Sequence, residues 1–381
     1  MRLNLCVLLL LRPCAVDSAR GAWLESRGSG ATAVGARLRY GEQHAAFNSH
    51  GCGGRLSCVI DATTTKHPML QLTAGLRGGG RGGAVPVKPT TFQGMLKATR
   101  PWTWTAGVIP VLLTAALVHR VDGVSLEKAG LTNALIMVVT LQASGNLVNS
   151  YIDHDYGVDT VETAGDRSIV DGHISRRGAL ALAGVLLLAA CAAVVPTVVG
   201  LRATGTAREL ELTFWIGVAM VFSYTCWPFR LKYRGLGDVT VFLLFGPMLM
   251  QVAALLISGT VQHWILPYGV PAALLCEAIL HANNMRDIDQ DRSAGISTLA
   301  TVLGFPTCRV LYWGMILLAY GIAGVLSMRY KGSALVLLTL PLAVGALGDC
   351  KPGPSLRDLD EKTAKIHLLF GVLMTLGTLL F

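Results

Sequence analysis

The chain is 381 residues long, 52% hydrophobic and only 14% charged, with a mean hydropathy of +0.53. A soluble domain carries about 25% charged residues, so the composition excludes a soluble enzyme and predicts a polytopic membrane protein. The net charge of +9 does not mark a nucleic-acid binder, because no basic helix or aromatic-interleaved basic patch accompanies it.

Residues 1–88 hold eleven Lys/Arg against four acids and so supply +7 of the +9. The start, "MRLNLCVLLLLRP", has an early Arg and a short leucine core, like a signal peptide. A small-residue, Arg-rich, acid-poor stretch follows and ends in "GLRGGGRGGAVPVKP". Residues 1–88 therefore read as a targeting segment and flexible linker, and residues 89–381 as the membrane domain. A signal-like start before a transit-like stretch resembles the two-part address of complex plastids. An ordinary signal anchor, with an endoplasmic reticulum, Golgi or mitochondrial membrane as destination, is the alternative.

From residue 100 onwards nine apolar runs follow: 103–119, 131–150, 178–200, 212–228, 238–258, 264–284, 308–327, 333–348 and 364–381. The third is free of charge over 23 residues, enough to cross a hydrocarbon core of about 30 Å. Asp238 and Glu277 bracket 38 uncharged residues, which need two spans, with "HWILPYGVP" as the break. No strand-like alternation is present, so the spans are helices, which pair their own backbone groups in lipid. The prediction is an all-α membrane protein of about nine transmembrane helices. If each run crosses once, the loops at 151–177, 229–237, 285–307 and 349–363 share one side and carry nearly all the charge of the domain. That asymmetry fits both the positive-inside rule and a polar active-site face. The nine cysteines form no C-x-x-C, which leaves no zinc or thioredoxin-like pattern.

Two of those loops begin alike. In "GNLVNSYIDHDYGVDT", Asn146, Asn149 and Asp153 stand at i, i+3 and i+7, and Asp159 follows a Gly157 turn. In "EAILHANNMRDIDQDRSAG", Asn284, Asp287 and Asp291 repeat the spacing. Each set lies on one helix face. Hard oxygen ligands in two facing clusters suit Mg²⁺ shared with a diphosphate, and carboxylates at apolar helix ends are functional candidates. The bland reading is that all are interfacial loop acids in water. Asp155 and Asp289 point off the stripes and are expected to be solvated. Arg230, Lys232 and Arg234, between the clusters, could meet a diphosphate or form a snorkelling basic loop. Tyr224 and His281 read as packing and as a hydrogen-bonded structural histidine.

"NLVNSYIDHDYGVD" and "NNMRDIDQDRSAG" resemble the two aspartate-rich motifs of the UbiA superfamily of intramembrane aromatic prenyltransferases, most closely its menaquinone branch. The resemblance runs from "LKATRPWTWTAGVIPV" through "LKYRGLGD" and "LLFGP" to "KTAKIHLLFG", nearly the whole membrane domain. It implies nine helices around a central cavity capped by polar loops on one side. It implies Asn149, Asp153 and Asp159 as first-motif and Asp287 and Asp291 as second-motif metal-binding and catalytic residues. Asn283, Asn284 and Arg286 stand beside the second motif, Asn146 is a helper, and Arg167 and Lys232 fall on basic positions near the diphosphate. It further implies Mg²⁺, a prenyl diphosphate donor, and an aromatic acceptor: 1,4-dihydroxy-2-naphthoate, with loss of its carboxylate, or menadiol. The sequence departs from the family in "TVETAGDRS", one residue longer, with Gly165 where an Asp stands, so Asp166 and Arg167 are placed less firmly than Asp153. Homogentisate, 4-hydroxybenzoate or chlorophyllide are alternative acceptors. A cation transporter or a non-catalytic prenyl-lipid sensor is the reading from another class. A transporter would set its acids at mid-membrane on broken helices, and a sensor could dispense with the second motif.

Overall fold

The computed structural model describes residues 92–126, 129–155 and 167–381. The targeting segment, Gly157, Asp159, Gly165 and Asp166 lie outside these residues. A short α1 (Phe92–Ala98) leads into α2 (Thr105–Asp122), α3 (Ala129–Asp155), α4 (Arg176–Leu201) and α5 (Ala207–Ser223). Next come α6 (Gly237–Leu243), α7 (Leu249–Ser258), α8 (Leu266–Arg286), α9 (Ile288–Ser293), α10 (Leu299–Leu303) and α11 (Phe305–Ser327). A 3₁₀ segment (Lys331–Thr339) then runs into α12 (Leu340–Asp349), and α13 (Leu359–Leu380) ends the bundle. No named strand occurs among the described residues. Eight helical segments are long and apolar enough to span a membrane. The ninth expected span is α5, 17 residues with Glu209 in its first turn.

Side chains at Leu188, Val195, Val199, Leu317, Leu318 and Leu338 stay more than half exposed, as they do when lipid is the solvent. The interior lies around α8, whose span is 72% buried. Small residues let neighbours approach it closely: Ala272, Ala273, Ala278 and Ala282 are each at most 1% exposed. The run 238–258 is not one straight helix. Gly246 (φ −109°, ψ −108°) followed by Pro247 breaks it into α6 and α7, joined by a widened turn at Leu244–Met248. Proline removes a ladder bond and the break re-aims the chain.

The four charged loops do meet at one end of the bundle. Lys232, after α5, binds Asp153 at the end of α3 at 2.7 Å. Arg234 pairs with Ser297, after α9. Arg286, ending α8, binds Asp360 in the first turn of α13 at 2.7 Å. At the opposite end the contacts are of another kind, such as Gln262 to Asp122 at 2.9 Å and Thr206 to the Gly259 carbonyl at 2.9 Å.

Candidate functional site

α3 continues past its apolar portion and carries its polar stripe to the crowded end of the bundle. Asn146 donates to the Thr99 carbonyl and to Thr103 Oγ1, both at 3.0 Å, so its amide ties α3 to the segment before α2. Asp153, two turns further on, is only 3% exposed. A buried carboxylate needs donors, and a single turn, Leu231–Tyr233, supplies them. Lys232 Nζ reaches Asp153 Oδ2 at 2.7 Å and Asn149 Oδ1 at 3.4 Å, while the Tyr233 hydroxyl donates to Asp153 Oδ1. Asp153 is almost dry while Lys232 remains partly exposed, so desolvation of the carboxylate offsets much of the attraction within the pair. Burial, and the Asp153 carboxylate to which it donates, push the Tyr233 hydroxyl well above its ordinary pKa.

The second stripe straddles the junction of α8 and α9. The Asp287 N–H bonds the Asn283 carbonyl at 3.1 Å, and the Asp291 N–H bonds the Asp287 carbonyl at 2.8 Å. The two acids are thus one turn apart, as the i, i+4 spacing requires. Arg286 clamps the region: its fork holds Asp287 at 2.8 and 3.0 Å and Asp360 at 2.7 Å, and reaches Asn283 Oδ1. Asn284, 8% exposed, donates to Asp238 at 3.4 Å. Asp291 accepts from Thr298 at 3.3 Å. Burial and the Asp287 carboxylate push the Asp291 carboxyl up to about 6, against the opposing charge of Lys232 and with a further push from Asp153. Asp291 therefore senses both members of the Asp153–Lys232 pair from the first stripe.

Asn149, Asp153, Asp287 and Asp291 thus bring hard oxygen donors to one end of the bundle. Burial and the neighbouring acids outweigh the opposing charge of Lys232, which is why the Asp291 carboxyl lies above the ordinary carboxylate range. Such a donor set suits a hard dication. Arg167 is engaged bidentately by Asp171 at 2.8 and 3.1 Å. Asp159 lies outside the described residues. Asp289 is fully exposed, as its off-stripe position predicts. Asp155 differs from the expectation of a solvated acid: it is only 15% exposed and paired with Arg176, because α4 begins alongside the end of α3. Tyr233 and Asp360 were not among the expected site residues. Each meets its partner across at least 74 positions of sequence, so no spacing pattern marks it.

Below the polar stripe the lining turns apolar. Gln142, one turn inside Asn146 on α3, joins Val138, Leu141, Phe214, Phe245 and Val252 around a small cavity of about 70 Å³. A larger apolar cavity of about 290 Å³ lies between α5 and the α6–α7 break, and Met248 borders both. The polar stripe of α3 thus begins one turn from the smaller apolar cavity, while the larger cavity reaches Val261 and His263 towards the opposite end of the bundle.

Residues 107–350 match the model of the UbiA prenyltransferase family. The chain is 37% identical over 296 residues to "UbiA prenyltransferase domain-containing protein 1" of Dictyostelium discoideum, covering 76% of this chain and 88% of that protein. The human protein of the same name is 34% identical over 287 residues, covering 74% and 82%. Among solved structures, a UbiA homolog from Archaeoglobus fulgidus bound to GPP and Mg²⁺ superposes with a TM-score of 0.52 at 14% identity, over 74% of this chain and 99% of that one. The apo UbiA homolog from Aeropyrum pernix K1 gives 0.56 at 18% identity, over 72% and 96%. At these identities the structures establish the fold.

Proposed function

Because the chain belongs to the UbiA prenyltransferase family, a family of multi-pass membrane enzymes, we propose that it transfers a polyprenyl group to a naphthoate or naphthoquinol acceptor. The donor is a geranylgeranyl, phytyl or longer diphosphate. The acceptor is 1,4-dihydroxy-2-naphthoate or menadiol, as in menaquinone or phylloquinone synthesis. The observation that carries the reading is the convergence of both aspartate stripes around Lys232, at the mouth of an apolar interior. Residues 1–88, read as a targeting segment, support a plastid membrane as the site of the reaction.

Asn149, Asp153, Asp287 and Asp291 would hold Mg²⁺, and Asp159 would complete the first motif. When bound, Mg²⁺ neutralises charge on the diphosphate and so eases departure of that group. Lys232 adds a fixed positive charge beside the same oxygens. Arg286 and Tyr233 hold Asp287 and Asp153 in place. The apolar walls keep water from the allylic carbon while its C–O bond breaks and a C–C bond to the ring forms. The ring then loses CO₂ from the naphthoate, or a proton from the quinol.

Membranes containing the full chain, given geranylgeranyl diphosphate, Mg²⁺ and a panel of acceptors, are expected to prenylate the naphthoate or menadiol. Product with homogentisate, 4-hydroxybenzoate or chlorophyllide alone would overturn the acceptor assignment. Binding of the diphosphate without product from any acceptor would favour a prenyl-lipid sensor.

Two finer expectations follow from the geometry. Lys232→Ala removes the cation shared by Asn149 and Asp153, and should lower kcat/KM for the diphosphate about 10²-fold. Lys232→Arg should restore part of it, and steady-state kinetics at saturating acceptor checks both. Secondly, Asp291 must lose its proton to serve as a ligand. With its carboxyl at about 6, the apparent Mg²⁺ affinity should fall as pH falls through that value. A drop of about tenfold is expected between pH 7 and pH 5. The half-saturating Mg²⁺ concentration, measured across this range, should follow that curve in the wild type and flatten in Asp291→Asn.

A further inference from the structure

Deeper along α8 than the second stripe, three ionisable side chains meet inside the bundle. Glu277 and His281 stand four residues apart on α8 and share a face. Asp238 reaches them from the first turn of α6. All three are buried, at 5%, 1% and 5% exposure, and one ligand atom of each lies within 4.8 Å of the other two.

The neighbouring bonds show which atoms are committed. A carbonyl can only accept, so His281 Nε2 donates to the Cys308 carbonyl at 3.0 Å. That leaves Nδ1, which lies 2.9 Å from Asp238 Oδ1. The other Asp238 oxygen accepts from Asn284. Both Glu277 oxygens are buried and meet no donor; the polar group beside them is the Asp238 carboxylate. No described ion pair joins a lysine or arginine to Asp238 or Glu277. Two carboxylates and an imidazole facing one another away from water are costly to bury, and even a proton on Nδ1 shared with Asp238 would leave one negative charge uncancelled. One dication cancels both negative charges.

We propose that Asp238, Glu277 and His281 form a second metal site, separate from the diphosphate site, that binds a transition-metal dication of the Zn²⁺ or Mn²⁺ class. Two ligands one turn apart on a helix, with a third from a facing helix, is a common way for bundles to build such centres. The arrangement around the ligands matches too. A ligating histidine hands its second N–H to a backbone carbonyl, and a ligating carboxylate is braced by a neighbouring donor. The imidazole nitrogen disfavours Mg²⁺, which prefers oxygen, and suits the later metals. Through Asp238, through Glu277 with His281, and through Cys308, the ion pins α6, α8 and α11 together, next to the helix end that carries Asp287.

The test uses the full chain, free of any affinity tag, purified in detergent from cells supplied with Zn²⁺ and Mn²⁺ and then dialysed against excess Mg²⁺. Elemental analysis should find about one equivalent of Zn or Mn per chain. Asp287→Ala should retain it, whereas Glu277→Gln and Asp238→Asn should lose most of it. A wild-type protein without transition metal overturns the proposal, as does full occupancy in Glu277→Gln. Should either variant fail to fold, X-ray absorption on the metal-loaded wild type decides. Imidazole scattering in the outer shell supports the site, and an all-oxygen environment overturns it.

Discussion

Asp153→Asn and Asp287→Ala are each expected to lower prenyl transfer about 10³-fold or more, with little change in thermal stability. In Asp153→Asn the side chain keeps its shape and one acceptor oxygen, so Tyr233 and Lys232 retain a neighbour while a negative charge disappears. In Asp287→Ala the Arg286 clamp survives on Asp360 and Asn283, so the α8–α13 junction is held without Asp287. Both changes act on charge at the mouth of the cavity and leave the packing beneath it alone. If the two stripes work on one diphosphate, as proposed, their effects should not add: the double variant should be scarcely slower than either single one. Rates of geranylgeranyl transfer for the three variants, alongside their melting curves, check this. Near-wild-type turnover in either single variant would remove the metal-diphosphate mechanism. So would a double variant slower by the product of the two effects, because the stripes would then act on separate steps.

That expectation was available early because the stripes obey local rules. Asn149 with Asp153, and Asp287 with Asp291, are read off helical spacing, and helical spacing survives folding. The apolar runs were legible for the same reason: lipid demands long uncharged stretches, and the nine runs became eight helical segments long and apolar enough to span, plus the 17-residue α5. Boundaries were less so. α5 starts at Ala207 instead of 212, because Arg208, Glu209 and Glu211 sit comfortably at an interfacial helix start although they break the apolar pattern. α13 likewise begins at Leu359, with Asp360 and Glu361 in its first turn, ahead of the apolar run. The break at Gly246–Pro247 was hidden inside an unbroken apolar stretch, where hydropathy carries no information about backbone direction.

Partners across the fold were hidden more deeply. Nothing near Asp153 in sequence announces Tyr233, and nothing near Arg286 announces Asp360. Asn146 shows the complementary limit. Its place on the stripe suggests a ligand contact, yet its amide is used to hold α3 to Thr99 and Thr103. Spacing states which face a side chain occupies, while the tertiary structure decides whether that face meets substrate or another helix. Asp238 and Glu277 were visible only as the ends of an uncharged stretch, and folding brings these two ends together.

The largest effect on stability is expected at Gly332 and Gly377, which no motif singles out. The 3₁₀ segment Lys331–Thr339 crosses α13 so closely that the two glycines touch backbone to backbone. A Cβ at Gly332 would lie 1.9 Å from the Gly377 carbonyl oxygen, and a Cβ at Gly377 would lie 2.0 Å from that of Gly332. Because backbone opposes backbone, no rotamer change relieves the clash; one element must move away from the other. Overpacking of a close core contact costs about 1–3 kcal/mol where side chains can yield, and here they cannot. α13 also supplies Asp360 to the Arg286 clamp, so displacing it would disturb the acid-rich end of the bundle. Gly332→Val and Gly377→Val should therefore melt well below the wild type and lose transfer activity with the fold. Gly321→Val and Gly345→Val provide the controls, since a Cβ at either position meets open space. Fluorescence-detected thermal unfolding of the four proteins in detergent distinguishes the cases. Equal melting temperatures across the set would mean that the Gly332–Gly377 crossing contributes nothing to holding the bundle together.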